Sequence, residues 1–290
     1  MNTVRGLNHQ LKQLCRQNRD GSYGTQARRE RELTLLANQL HELGYRGMNR
    51  HSLKPKHVQA LVAFWLCKGV AIGTIKNRLS ALRWWARKVD RQNVVARSND
   101  HYGIPNRRFV AGQSKARSIS DAELEKIQDP HVRMSLALQE AFGLRREEAI
   151  KFSPSYADKG NHLELKASWT KGGKARSVPL RNPLQRAVLD RAHQLAGKGS
   201  LIPGHRNYRQ QLRIYEGQTI RAGLSRMHGL RHAYAQNRYE ELTGWASPIA
   251  GGPAAMSLSV EHRKMDQEAR LTISRELGHE RASIVRIYIG

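Results

Sequence analysis

Cysteine, acidic residues and long apolar runs are all scarce in this chain. Among its 290 residues the cysteines are Cys15 and Cys67. They form neither a metal-type pair nor a disulfide framework, which fits a reducing compartment. The longest uninterrupted apolar run, Ala60 to Cys67, falls far short of the roughly 20 residues that a helix needs to cross a bilayer. The N-terminus has no charged-then-apolar signal pattern. These absences predict a soluble, cytoplasmic protein with no membrane partner.

The shortage of acid is the stronger statement. Asp and Glu number 24 against 50 Lys and Arg, a formal net charge of +26. That excess calls for a polyanionic partner. It is densest in residues 1–110, with 21 basic and 6 acidic residues, against 29 and 18 in the remainder. A structural nucleic-acid binder would be equally basic, so charge alone does not separate enzyme from scaffold. Membrane-surface binding fits less well, because the basic helices lack a strongly apolar opposite face.

Apolar periodicity predicts four helices in residues 1–100. Leu7, Leu11 and Leu14 mark the first, and Leu33, Leu36, Leu40 and Leu43 the second, which stops at Gly44. The third runs from about Pro55 to Cys67 and the fourth from about Gly73 to Val89. Short links imply a small bundle. Residues 101–117 read as a basic linker. A second domain, 118–290, opens with the capping pattern Ser120-Asp121-Ala122-Glu123. A helix over Pro130–Phe142 and another after Arg145 follow. Residues 162–180 alternate as a β-hairpin turning at Gly172-Gly173. Helices resume from Leu184, around His228–Leu242 and from about Glu261, with a Gly/Pro-rich loop over 244–259. The fold class is therefore mainly α with a small β-sheet.

Five short motifs carry chemistry. They are Gly143-Leu144-Arg145, with Glu148 one turn on; Lys171-Gly172-Gly173-Lys174-Ala175-Arg176; His228-Gly229-Leu230-Arg231-His232; Leu277-Gly278-His279; and Tyr288, nine residues after His279. Arginine forks bind phosphate through paired hydrogen bonds and keep their charge. Lysine and histidine can move protons, and a tyrosine can hold a phosphoryl group covalently. Two rival readings fare worse. The glycines at 172–173 do not match a phosphate-binding loop. His228 and His232 have the spacing of a zinc pair but no supporting thiol or acid motif, so neither metal nor cofactor is expected.

In this order, the set resembles the tyrosine recombinases, or phage-type integrases, over nearly the whole chain. The resemblance implies a SAM-like core-binding domain followed by a catalytic domain. It implies a site-specific DNA recombinase, the integrase of a mobile element, working through a 3′-phosphotyrosine intermediate. Arg145 and Arg231 would clamp the phosphate, Glu148 would support Arg145 (with Arg146 the competing choice), and Lys171 would protonate the leaving 5′ oxygen. His228 would accept the proton of Tyr288, the nucleophile, or donate to the phosphate, and His279 would donate to the phosphate. Lys76, Arg78, Arg83, Lys174 and Arg176 would contact DNA. The implied partners are double-stranded DNA, a homo-tetramer on two sites and accessory DNA-bending or directionality proteins, at the nucleoid.

Two departures accompany the likeness. Arg231 and His279 lie 48 residues apart, about twice the separation in compact members, and the excess falls in the 244–259 loop. Family members also continue past the tyrosine with a helix that docks on a neighbour, whereas this sequence ends two residues after it. That implies either a different assembly or a shortened terminus. The alternatives are a catalytically inactive DNA-binding relative and a topoisomerase-like strand cleaver.

Overall fold

Leucines and tryptophans at helical spacing build the first part of the chain. In the computed structural model, which describes residues 4–106, 112–279 and 281–290, they lie on α1 (Val4–Gln17), α2 (Tyr23–Glu42), α3 (Pro55–Cys67) and α4 (Ile72–Lys88). Leu11, Leu36, Leu40, Leu61, Trp65, Leu79, Leu82 and Trp85 are buried in one core. The two indoles place their polar edges: Trp65 Nε1 donates to Gln39 Oε1 at 2.9 Å and Trp85 Nε1 to the Arg50 carbonyl at 2.7 Å. Burying such rings is favourable only when the N–H finds a partner.

Two arginines expected to face DNA are instead occupied inside this bundle. The Arg78 guanidinium lies over the Trp65 ring, 5.3 Å from its centroid, and 3.9 Å from Glu32. Arg83 donates to the Ala96 carbonyl and to Asn99 Oδ1, both at 2.9 Å. An arginine stem can cover apolar surface along its length, and the Arg83 fork finds its acceptors in the loop after α4. Lys76 stays at the surface, 3.4 Å from Asn106 Oδ1.

The chain divides into units over residues 1–108 and 109–290. The linker expected over 101–117 straddles this division. Ile104 and Val95 are buried in the N-terminal core, so ordered packing runs beyond residue 100. Part of that linker, 107–111, lies outside the described residues.

The second unit contains α5 (Asp121–Glu125), α6 (Pro130–Phe142), α7 (Arg146–Ile150) and α8 (Pro154–Ala157). A hairpin of β1 (His162–Leu165) and β2 (Arg176–Pro179) comes next. Then follow α9 (Pro183–Ala196), α10 (Tyr208–Arg221), α11 (Gly229–Thr243), α12 (Val260–Glu276) and α13 (Arg286–Ile289). The strands are antiparallel, with Leu163 opposite Val178 and Leu165 opposite Arg176. Leu163, Leu165 and Val178 enter a core with Phe142, Phe152, Leu189, Tyr239, Ile273 and Ile289. α5 starts on a reciprocal cap, in which Ser120 Oγ accepts from the Glu123 amide and the Ser120 amide donates to Glu123.

Helix α10 is absent from the periodicity reading. Its buried positions are Gln211, Tyr215 and Thr219, too polar to stand out as an apolar stripe. The Asn207–Gln210 capping box, with contacts of 3.0 and 2.8 Å, was the available signal. Among the described residues no helix is long and apolar enough to cross a membrane.

Trp65 anchors both Gln39 and Arg78. Trp65→Ala is expected to destabilise the N-terminal unit by roughly 3–5 kcal/mol, read as a lower urea midpoint by circular dichroism, with Trp65→Phe losing less.

Candidate active site

Helix α6 ends at Gly143, whose φ of +59° turns the chain sharply. A β-carbon there would lie 2.6 Å from the Tyr234 ring, so no other residue fits. The turn delivers Arg145 to the N-cap of α7. Its backbone amide donates to Glu148 Oε2 at 2.6 Å, its Nη1 to Glu148 Oε1 at 2.8 Å, and its Nη2 to the Leu277 carbonyl at 3.2 Å. The neighbouring Arg146 points outward to Glu216 at 3.0 Å. The expected choice between the two arginines thus has a structural counterpart: only Arg145 reaches the cluster.

Glu148 has no exposed surface. It also accepts Nη1 and Nη2 of Arg176, at 2.6 and 2.8 Å. Burial alone would raise its pKa. Hydrogen bonds and charge from Arg176, then the charges of Arg145 and Arg231, outweigh burial and hold it at about 2. Arg176 was expected to grip the DNA backbone. Its side chain is only 6% exposed, because β2 alternates and Arg176 shares the inward face with Val178.

The His228 motif sits at the start of α11, where positions 228, 231 and 232 share one helix face. Arg231 is fully buried, donating to the carbonyls of Gly143 and Leu277 and, through Nε, to the Tyr288 hydroxyl at 3.4 Å. Burial and then Arg145 lower its pKa to about 10, so it remains charged at neutral pH. Arg145 and Arg231 therefore share the Leu277 oxygen. The path of the 277–279 turn makes this possible: Gly278 has φ +65°, and a β-carbon on it would strike Arg176 Cδ at 2.7 Å.

Tyr288, on α13, is 5% exposed and enclosed by imidazoles. Ring centroids lie at 4.6 Å for His232, 5.6 Å for His279 and 6.0 Å for His228, and the Arg231 guanidinium is 5.7 Å from the phenol ring. Gln236 Nε2 holds the Tyr288 carbonyl at 2.9 Å. Desolvation, then His228, pushes His232 down to about 4; desolvation, then Arg231, does the same to His279. His228, the most exposed of the three, is also lowered, by desolvation and then by Arg231, Arg145 and Lys171. All three rings are neutral at pH 7 and can accept protons.

Arg145, His228, Arg231, His279 and Tyr288 thus converge. Lys171 stands at the exposed tip of the hairpin, and among the described residues its charge acts on His228. Lys174 is exposed on the same tip, its carbonyl accepting from Thr170 Oγ1 at 2.5 Å. The motif reading set aside a zinc pair at His228 and His232 and gave His232 no role of its own. Its ring instead packs nearest the tyrosine, and among the described residues no third ligand completes a metal-holding group. Position 232 lies on the face already defined by 228 and 231, and that placement was the usable signal. Gln236, two turns along α11, carried none.

Comparison with known proteins adds an independent line. A family model described as phage integrase, N-terminal, matches residues 4–95, and one described as integrase matches residues 107–237. The tyrosine recombinase XerC of Methylobacterium nodulans (strain LMG 21967 / CNCM I-2342 / ORS 2060) is 27% identical over 262 residues, covering 80% of this chain and 78% of that protein. Among solved structures, a lambda integrase(75-356) dimer bound to a COC' core site has a TM-score of 0.61 at 15% identity, covering 98% of this chain and 95% of that one. XerH site-specific recombinase bound to palindromic difH substrate, a post-cleavage complex, has a TM-score of 0.60 at 17% identity, with coverage of 98% and 81%. The Tn1549 transposon integrase with circular intermediate DNA has a TM-score of 0.55 at 13% identity, with coverage of 100% and 96%.

The titrating groups set a pH dependence of stability. The folded pKa of each buried histidine lies below the unfolded value of about 6.5, so their contribution is complete above that pH and is lost as pH falls through about 4. Glu148 is depressed likewise, and its roughly 3 kcal/mol is present above its unfolded value near 4.5 and lost as pH falls toward 2. Melting temperature should therefore decline continuously below pH 6.5, and Glu148→Gln should flatten the limb below about pH 4.5. A melting temperature constant from pH 7 down to pH 4 would contradict this.

Proposed function

Because the chain belongs to the phage integrase family of tyrosine-type site-specific recombinases, we infer that Tyr288 is its nucleophile and that Arg145 and Arg231 clamp the phosphate it attacks. The observation that carries this reading is the Tyr288 hydroxyl, 3.4 Å from Arg231 Nε and surrounded by three neutral imidazoles of the same chain. A phenol at that place has a cation to steady developing negative charge and a base to take its proton.

Cleavage then proceeds in balanced steps. The phenol oxygen bonds to phosphorus, and its proton passes to His228. Negative charge on the non-bridging oxygens of the transition state is met by Arg145, Arg231 and a hydrogen bond from His279. The bond from phosphorus to the 5′ oxygen breaks, and Lys171 supplies that oxygen's proton. The products are a 3′-phosphotyrosine and a free 5′ hydroxyl. Attack by a 5′ hydroxyl from a second duplex reverses the chemistry onto a new partner, and the ester conserves the bond without an external energy source.

The partner is double-stranded DNA, and the basic N-terminal unit supplies a second grip on it. The structural relatives include a dimer on a core site and a tetramer on a Holliday junction. We infer the same assembly here, four protomers on two sites, with accessory DNA-bending or directionality proteins choosing the direction. Lys76 and Lys174, both at the surface, are the backbone contacts kept from the motif reading.

A nicked duplex library with a randomised core, incubated with the protein, would trap the covalent complex and reveal the preferred site. The wild-type chain should yield a protein–DNA adduct. Tyr288→Phe, which keeps the ring packing, should lower it by at least about a thousandfold while still binding the selected duplex. Binding without any wild-type adduct would mean an inactive DNA-binding relative. An adduct without joining between two duplexes would mean a strand cleaver of the topoisomerase kind.

A further inference from the structure

Lys171 has a chemical assignment but little to hold it. It stands on a hairpin of two four-residue strands, and an isolated two-stranded ribbon is marginally stable in water. Something must fix that ribbon relative to the phosphate clamp. Val178 anchors one end of β2 in the apolar core. At the other end, five residues beyond Lys171, stands Arg176.

The Arg176 guanidinium is divided among the segments that carry the clamp. Nη1 and Nη2 bond both oxygens of Glu148, the carboxylate that also holds Arg145. Nε bonds the Glu276 carbonyl at 3.0 Å, three residues before His279. Its stem fills the space left open by Gly278, where a β-carbon would meet Cδ at 2.7 Å. A cation on the inward face of a strand is costly unless fully paired, and a buried ion pair rarely outperforms apolar packing for stability. What a fully paired cation of this kind supplies is a single arrangement of the segments it joins.

We propose that Arg176 is a positioning residue that ties the Lys171 hairpin to the Arg145 and His279 segments, holding the leaving-group lysine in register with the phosphate clamp. This rests on the reading of Lys171 given above. It replaces the DNA-backbone role that the motif alone implied for Arg176, and it gives the glycine of Leu277-Gly278-His279 a purpose, since that position must leave room for the arginine stem.

The test separates proton delivery from everything else at the site. The selected nicked duplex is prepared in two forms, with oxygen or with sulfur as the 5′-bridging atom of the scissile phosphate. A departing thiolate needs no proton, so only steps that depend on Lys171 become dispensable. Arg176→Lys, which keeps the charge but loses the fork, should cut cleavage of the oxygen duplex by about 10–100-fold and recover to within about threefold of wild type on the sulfur duplex. Lys171→Ala should recover in the same way. Should the lysine variant fail to fold, Arg176→Ala with added methylguanidinium restores charge beside Glu148 without a link to the hairpin, and the same pattern is expected. Equal loss on both duplexes for the Arg176 variant, with recovery for Lys171→Ala, overturns the positioning role alone. No recovery for Lys171→Ala removes the Lys171 reading and the inference with it.

Discussion

One buried carboxylate sets the arrangement of the cations around it. Glu148 accepts a backbone amide and two guanidinium forks while lying wholly out of contact with solvent. Without it, Arg145 and Arg176 would face each other and Arg231 as unpaired like charges in a desolvated space. With it, Arg145 and Arg176 each have a fixed partner and a fixed direction. Nη2 of Arg145 and Nη2 of Arg231 meet at the Leu277 carbonyl. The paired charges organise the cluster, while positive charge still exceeds negative.

That excess is where chemistry enters. Positive groups assembled in advance lower the barrier for a reaction whose transition state gains negative charge, because nothing has to reorient as the charge appears. The histidines around Tyr288 are held toward the neutral form as well. Desolvation leads for each ring, and the neighbouring cations add to it. A protonated imidazole beside Arg231 would add repulsion and could accept no proton. Around Tyr288 the arginines thus supply positive charge assembled in advance and reinforce the neutral state that burial already gives the imidazoles.

Much of this organisation can be read from the residues in order. Leucine and tryptophan spacing marks the N-terminal helices, since an amphipathic helix has one dominant way to bury its stripe. Pro130 and Gly143 bracket α6, and alternation with a glycine pair marks the hairpin. What sequence conceals is the direction of charged side chains. Arg78, Arg83 and Arg176 look like surface cations beside many others, and only the fold reveals an indole, two loop acceptors and Glu148 waiting for them. α10 escaped because its inward face is Gln, Tyr and Thr. His232 was visible but its neighbours were not, since Tyr288 approaches it from 56 residues away.

The shared acceptor at position 277 belongs to the main chain, and heredity treats such an atom differently from a side chain. Ordinary codon changes can alter which residue occupies that position but cannot delete the oxygen. Adding or removing one residue within α12 would swing the downstream carbonyl by about 100° around the helix axis, away from both arginines. Length changes in the 244–259 stretch, upstream of α12, leave that orientation to the packing of the helix itself. Length within that stretch can therefore change without turning the Leu277 carbonyl, whereas the helix and the turn that closes it must keep a constant count.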